Sequence, residues 1–550
     1  MIYLTVSLII LSLVILAFNV AQKNSRAALR ERIRQSWGSP KRVDFNFHRI
    51  GRYAAILPPP HSHKLSKQTL DDIDFEQLFA FIDRTTSAVG QQFLYRHLLH
   101  PSQSLSDLKR RDELAHKMDS DAITREEIQE QLTKLDHPGA YNLCRLINLE
   151  PEEKPTWFRY LYLTMTSIAV LLILSFYSSV FLLLLLIPAS INMCVHYWHR
   201  SRMGYSLNSY SELGLLIAVC NGILKRTKSD NQTVETTLRD MDRLKWKLFV
   251  LNPGKSAMKD DLSQFGFYIN ELINGIFLIE IMTVLSLSKA LRNQANGIGV
   301  LFDFIGEVDT AISIASLRAG SKTTCIPEFL EAGKKISVKC VYHPLVKNCI
   351  RNDINIDSQS ILITGSNMSG KTTFLRTMMI NSILAQSIYT CFAEQFVTPF
   401  MRQFSSIRID DNLFNGRSYF FEEVNVIGLF IEEMQSGHQI FFILDEVFRG
   451  TNSIERTALS KAVLSYLNQG NNIVIVSSHD IELADMLGDE YDVYHFTETI
   501  ENRQLSFDHR LRPGPLRTGN AIRLLELGEF PEEITTEARN LSATRQLNGS

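Results

Sequence analysis

The sequence lacks an excess of charge: 57 Lys and Arg stand against 59 Asp and Glu, a formal net charge of -2 over 550 residues. No basic surplus advertises nucleic acid, and no acidic surplus marks a disordered tail. Glycine (27) and proline (16) are scarce, which excludes collagen-like and low-complexity architecture. The seven cysteines (Cys144, Cys194, Cys220, Cys325, Cys340, Cys349, Cys391) form no CxxC pair and no zinc spacing, so reduced thiols are expected. No internal repeat is evident. The length suits three to four domains at about 150 residues each.

Two stretches lack charge altogether. Residues 2–20 (IYLTVSLIILSLVILAFNV) are long enough to cross a bilayer as a helix. Residues 160–198 contain no Asp, Glu, Lys or Arg and are about twice that length, with a Ser/Tyr break from Ser175 to Ser179. A two-helix hairpin is expected there, with Trp157, Tyr160, Tyr162, Tyr197 and Trp198 at its ends, where aromatic rings prefer the interface. The alternative is a buried core helix pair. Positive charge follows the first run instead of preceding it: Lys23, Arg26, Arg30, Arg32, Arg34, Lys41, Arg42. That asymmetry reads as an uncleaved anchor with its C-terminal side in the cytoplasm. Arg159, Arg200 and Arg202 place both hairpin ends on the same side. The basic run is expected to meet anionic lipid in preference to DNA.

Pro58-Pro59-Pro60 punctuates a linker, and helical periodicity begins near Leu70. Residues 207–318 are again helical, with Leu213, Leu216, Ile217, Cys220 and Ile223 as one buried stripe. The apolar run Phe265–Leu291 carries Glu271 and Glu280, so a buried helix is expected in preference to another span. Near Ile336 the texture changes to strands alternating with helices: 361–364, 441–446 and 472–480. That alternation predicts a mostly parallel sheet in an α/β fold. The expected organisation is an anchor (1–22), a basic juxtamembrane linker (23–69), a helical core (70–155) interrupted by a transmembrane hairpin (156–200), its second part (201–335), and a P-loop α/β domain (336–550).

The chemistry lies in that last part. Gly365, Ser366, Asn367, Met368, Ser369, Gly370, Lys371 and Thr372 spell G-x-x-x-x-G-K-T between the strand ILIT and a helix. Its glycines let backbone N–H groups close around phosphate oxygens at a helix N-terminus. Lys371 is expected to reach the β- and γ-phosphates and Thr372 to ligate Mg²⁺. The strand Phe441–Leu444 runs into Asp445 and Glu446, at the sheet edge where ligands bind in open α/β folds. Asp445 suits the Mg²⁺ shell, and Glu446 suits orienting or deprotonating water. A third strand ends in His479-Asp480, and His479 can sense the γ-phosphate or the attacking water.

TGSNMSGKTTFLRT, GRSYFFEEV (416–424), LDEVFRGTN (444–452) and the strand ending SSHD together resemble the ATPase domain of the MutS family. YHPLV (342–346) is similar to the segment opening that domain, 513–541 to its closing helices, and 79–114 to the start of the family's helical core. The resemblance implies ATP and Mg²⁺ bound by Gly365 to Thr373, a Walker B pair at Asp445 and Glu446, and a switch histidine at His479. It also implies a signature serine at Ser418 that completes a partner's nucleotide site, hence a homodimer through the ATPase domain. Val447-Phe448 departs from the more usual Ile/Leu-Gly of the family's long repair proteins. The expected membrane anchor occupies the place of the family's mismatch-sensing domain, and no C-terminal nuclease is expected. Phe392-Ala393-Glu394 has the letters of the mismatch wedge but falls inside the ATPase domain.

The expectation is a multi-pass protein of a bacterial-type inner membrane with a cytoplasmic ATPase domain, no metal beyond Mg²⁺, and DNA as a ligand implied by resemblance alone. The alternatives are an ATP-driven transport or membrane-remodelling ATPase and a nucleotide-dependent scaffold. The missing LSGGQ-like signature speaks against an ABC transporter.

Overall fold

The computed structural model of the chain describes residues 2–56, 63–148, 159–227, 231–244, 247–248, 269, 271–292, 294–365, 369–408, 419–501, 504–516 and 530–548. Its contacts fall into two compact units: 1–58, 82–96 and 113–320 form one, and 59–81, 97–112 and 321–550 form the other. The first is helical and the second is mixed α/β. Segments 59–81 and 97–112 therefore pack with the C-terminal unit. Buried Asp72 shows one reason: its carboxylate accepts Ser405 Oγ at 2.6 Å and the backbone N–H groups of Ile407 and Arg408 at 3.0 and 2.8 Å. A buried carboxylate needs such donors to offset its lost hydration.

In the helical unit the core gathers Phe93, Leu132, Leu301, Phe302 and Ile305 with the stripe Leu213, Leu216, Ile217, Cys220 and Ile223, all buried. Residues 2–36 form one continuous helix, Ile2–Ser36. Most side chains of 2–18 lie outside the described residues. On the basic half, Arg26, Arg30 and Arg34 share a face by their spacing of four. They pair with the helix Ala122–Leu132: Arg30 with Glu130 at 3.0 Å, Arg34 with Glu126 at 2.7 Å, and Arg26 with Glu130 at 3.5 Å. Lys41 pairs with buried Asp83 at 2.8 Å. Much of the basic run is thus neutralised within its own unit.

The charge-free stretch 160–198 is a helical hairpin: Arg159–Leu174, a turn over 175–179, then Val180–Leu184 and Leu186–Thr227. Pro188 cannot donate to the carbonyl four residues back, which matches the interruption at Leu185. This hairpin is not a buried core pair. Phe176 is 89% exposed, Leu183 68%, and only 17% of Val180–Trp198 is buried. Among the described residues, Val180–Trp198 is the one helix long and apolar enough to cross a membrane; Tyr160–Leu174 is apolar but shorter. Its base is clipped by polar groups. Thr164 Oγ1 donates to Asn192 Oδ1 at 2.6 Å, and Asn192 Nδ2 donates to the Ile276 carbonyl at 2.7 Å. Of the run 265–291, the helix Ile279–Arg292 buries Ile281, Val284, Leu285 and Leu287, whereas Leu272 and Ile273 are exposed.

The α/β unit holds two sheets. The larger follows the order β10-β9-β4-β8-β7-β6, parallel from β9 through β6, with β10 antiparallel at one edge. Its strands are β4 (Ser360–Thr364), β6 (Arg402–Ser406), β7 (Ile440–Asp445), β8 (Ile473–Ser477), β9 (Tyr491–Glu501) and β10 (Gln504–Pro513). The three expected strands are β4, β8 and β7, adjacent and wholly buried, as continuous apolar runs in parallel sheets should be. The smaller sheet, in the order β1-β5-β2-β3, is built from β1 (Glu328–Leu330), β2 (Lys335–Val341), β3 (Asn352–Asp357) and β5 (Gln395–Pro399). Its strands mix polar and apolar residues without a long apolar run, which is why the sequence does not announce them.

Candidate functional site

β4 delivers the chain to Gly365, whose φ of +133° and surroundings admit no side chain: a Cβ there would sit 2.8 Å from the Phe496 carbonyl oxygen. Gly370, at φ +112°, caps the helix Lys371–Ile388. Ser366, Asn367 and Met368 between them lie outside the described residues. Ser369 is buried, and its carbonyl contacts His509 Nδ1 at 2.9 Å.

Lys371 is only 1% exposed. Its Nζ donates to the Gly365 carbonyl and lies 3.3 Å from His479 Nε2. Burial pushes its ammonium down to about 8, against the pull of Glu446 and Asp445. Thr372 Oγ1 donates to Asp445 Oδ2 at 2.6 Å, while Ser477 Oγ donates to Asp445 Oδ1. A hydroxyl and a carboxylate side by side are a hard-oxygen pair of the kind Mg²⁺ prefers.

Glu446 follows β7 at φ +55°, its N–H bonded to the Ser477 carbonyl at 3.1 Å. Its carboxylate meets His479 Nε2 at 2.5 Å and Arg449 Nε at 2.8 Å. Burial opposes its ionisation, yet the contacts with His479, Arg449 and Lys371 hold its carboxyl below the usual range. Arg456 grips Asp480 with two bonds of 3.0 and 2.8 Å, fixing the turn that presents His479.

The structure thus brings together Gly365, Ser369, Gly370, Lys371, Thr372, Asp445, Glu446 and His479. Thr373 lines an adjacent cavity of about 310 Å³ with Ile350, Asn352, Phe496 and His509. Ser418 lies outside the described residues.

Several further residues take part. Arg449 joins Glu446 to buried Glu423, which accepts the Arg449 N–H at 3.3 Å; burial raises the Glu423 carboxyl. Gly450 is forced by Phe420, whose Cβ would lie 2.9 Å from an added Cβ. Arg449 and Gly450 stand in the LDEVFRGTN segment (444–452), so their position is legible in sequence but their contacts are not. His509 and Asn352 carry no sequence signal, because β-strands far apart in sequence bring them to the cavity. His343 of YHPLV is a buried histidine pushed down to about 4 by burial and by Arg376, hence a neutral structural group. Phe392 is buried against Phe81 and Tyr342, so its wedge-like letters mark a core position.

A buried cation, a glycine-lined helix N-terminus, an oxygen pair and an ionised glutamate in contact with a histidine can together bind and transfer a phosphoryl group. Comparison with known proteins places the chain among relatives. The family model "MutS domain V" matches residues 361–546. The DNA mismatch repair protein MutS of Thermus thermophilus is 27% identical over 261 residues, which cover 47% of this chain and 31% of that protein. That of Lactobacillus helveticus is 26% identical over 349 residues, 61% and 39% of the two chains. That of Lactobacillus delbrueckii subsp. bulgaricus is 24% identical over 540 residues, 86% and 60%. The matches therefore span between about a third and three fifths of these relatives' length.

Proposed function

Because the chain belongs to the MutS family, we propose that its α/β unit is a P-loop ATPase that turns over ATP and uses the cycle to move the helical unit. The observation that carries this reading is the convergence of Lys371, Thr372, Asp445, Glu446 and His479 at one helix N-terminus. Gly365 to Thr373 cradle the phosphates, and Lys371 meets the β- and γ-oxygens. The neighbouring cavity, with Ile350 and His509, receives the base. Thr372 and Asp445 would hold Mg²⁺, which supplies charge neutralisation of the phosphates. Glu446, anionic at neutral pH, orients the attacking water, and His479 ties its position to Lys371. Ser418 completes the site of a second copy, making the working form a homodimer. DNA, the ligand in the relatives' names, is the ligand we assign to the helical unit.

Hydrolysis by the detergent-solubilised full chain tests the assignment. Glu446→Gln is expected to lower the rate about 10²- to 10⁴-fold while ATP binding persists; turnover at the parental rate would sink the role of Glu446. Gel shifts with duplex, mismatched and branched DNA test the ligand, and absence of salt-sensitive binding to all three removes it.

A second reading, an ATP-driven transport or remodelling machine, is favoured by the exposed apolar hairpin, which we assign with residues 2–20 to the inner membrane as a multi-pass anchor. Leu183→Asp with Ile187→Asp is expected to move the protein toward the alkali-extractable fraction, since each acidic residue costs about 2.5–3.5 kcal/mol at the centre of a span. Unchanged retention in the membrane would count against the hairpin as a span. ATPase activity stimulated by vesicles but not by any DNA would favour this second reading; negligible turnover with intact binding would favour a scaffold.

A further inference from the structure

Asp74 is a non-glycine residue held at φ +50° between the helices Lys67–Asp72 and Phe75–Ile82. Its carboxylate takes two arginines. Arg376 Nη1 donates to Oδ2 at 2.8 Å, and Arg408 Nη1 donates to Oδ1 at 2.8 Å with Nη2 3.4 Å from Oδ2. Arg376 lies on the helix Lys371–Ile388, four residues and so one turn beyond Thr372. Arg408 follows β6 and is itself fixed by its N–H to Asp72.

The backbone of Asp74 does something separate. Its carbonyl accepts the N–H groups of Gln77 and Leu78, both at 3.0 Å, and so starts the helix Phe75–Ile82. That helix is anchored along its length, with Phe75, Leu78, Phe79 and Ile82 buried. Beyond it the chain enters the helical unit and is bolted at once to the helix Ala295–Gly320. Arg84 N–H donates to Ser313 Oγ at 2.9 Å, and the N–H groups of Thr86 and Ser87 donate to buried Asp309, both at 2.7 Å. A Cβ on Gly90 would lie 2.2 Å from Asp309 Oδ2, so this seat has no slack.

We propose that Asp74 is a positioning residue that hands the nucleotide state of the helix Lys371–Ile388 to the helix Phe75–Ile82, and through the covalent chain to Ala295–Gly320. The inference rests on the ATPase reading above. A shift of the first turn of this helix, which carries Lys371 and Thr372, on engaging Mg-ATP moves Arg376, one turn on. Two charge-assisted bonds pass that shift to the residue whose carbonyl begins the next helix. The route is a contiguous series of short hydrogen bonds and one buried helix, one physical form in which coupling between distant sites can be carried. The positive φ of Asp74 needs only a tolerant residue; the carboxylate is what binds both arginines.

The test is hydrogen exchange on the full chain in detergent micelles, in the Glu446→Gln background to prevent turnover, with and without Mg-ATP. Peptides within 295–320 are read out, and ATP affinity is measured in parallel. Asp74→Asn is expected still to bind ATP, its affinity changed only by the coupling factor it loses (about tenfold, within the usual range), and to lose most of the ATP-induced change in 295–320. Asp74→Glu should restore part of it. If Asp74→Asn melts early, Arg408→Gln replaces it, since that side chain is 51% exposed, and the same loss is expected. An ATP response in 295–320 equal to the parent's, or none in the parent itself, overturns the relay. Absence of ATP binding by the parent overturns the ATPase reading and the relay together.

Discussion

Two groups of cations in this chain are handled in opposite ways. Arg26, Arg30 and Arg34 lie in a conspicuous basic run, and the helix Ala122–Leu132 answers them with Glu126 and Glu130 on its own surface. Lys371 is a single positive charge in an otherwise uncharged loop, almost wholly buried, and its neighbouring carboxylates do not repay its desolvation: its ammonium is pushed down to about 8. Arg34 moves the other way, raised by its hydrogen bond to Glu126. The difference teaches that density of charge in sequence is a poor guide to where an anion is wanted. The demand for an anion is greatest where a cation has lost water and has not been fully compensated.

The sharpest way to break this contrast is Lys371→Met. ATP hydrolysis should fall by 10²-fold or more, about the loss seen when one preorganised charge-stabilising group is removed. The nucleotide-free protein should nevertheless melt higher, because a desolvated ammonium is replaced by an apolar chain of similar length. Unchanged or lower thermal stability would mean that Lys371 is compensated after all. The pH dependence follows with its sign. The folded-state value of about 8 lies below the ordinary 10.5, so between them the unfolded chain binds more protons. Stability of the nucleotide-free protein therefore rises with pH across that window, and the full penalty applies below 8. Phosphate restores the charged form, so ATP binding takes up a proton above pH 8 and weakens by up to about tenfold per pH unit there. Calorimetry in two buffers of different ionisation enthalpy measures that proton, and Lys371→Met should abolish it.

The site was more legible than the fold around it. Gly365, Gly370, Lys371, Asp445 and Glu446 can be read from spacing because a phosphate loop and an acid-tipped apolar strand each sit within a few consecutive residues. β4, β7 and β8 are apolar on both sides, so their runs stand out. The smaller sheet did not, since β2 alternates buried and exposed residues and pairs with a strand nearly sixty residues away. The assignment of 59–81 to the α/β unit was invisible for a related reason: Asp72 and Asp74 read as helix-end polar residues until their donors, more than 300 residues distant, are in view. The pairing of the basic run is hidden in sequence because its acidic partners lie about a hundred residues downstream.

The smallest effect is expected on the other side of the contrast. Glu130 is 13% exposed and receives both Arg26 and Arg30, so Glu130→Gln releases two cations without removing volume. Pairs of this exposure contribute about 0–1 kcal/mol, and the change in unfolding should fall within that range. It should shrink further in high salt, where the Debye length drops to about 3 Å at 1 M. Binding to vesicles gives the more telling readout. Freed arginines near a surface of anionic lipid contribute about 1 kcal/mol each, so the variant should bind such vesicles more tightly than the parent and neutral vesicles equally. If Arg26 and Arg30 already served lipid in the parent, the substitution would leave vesicle binding unchanged, and the contrast between satisfied and unsatisfied cations would fail at its weaker end.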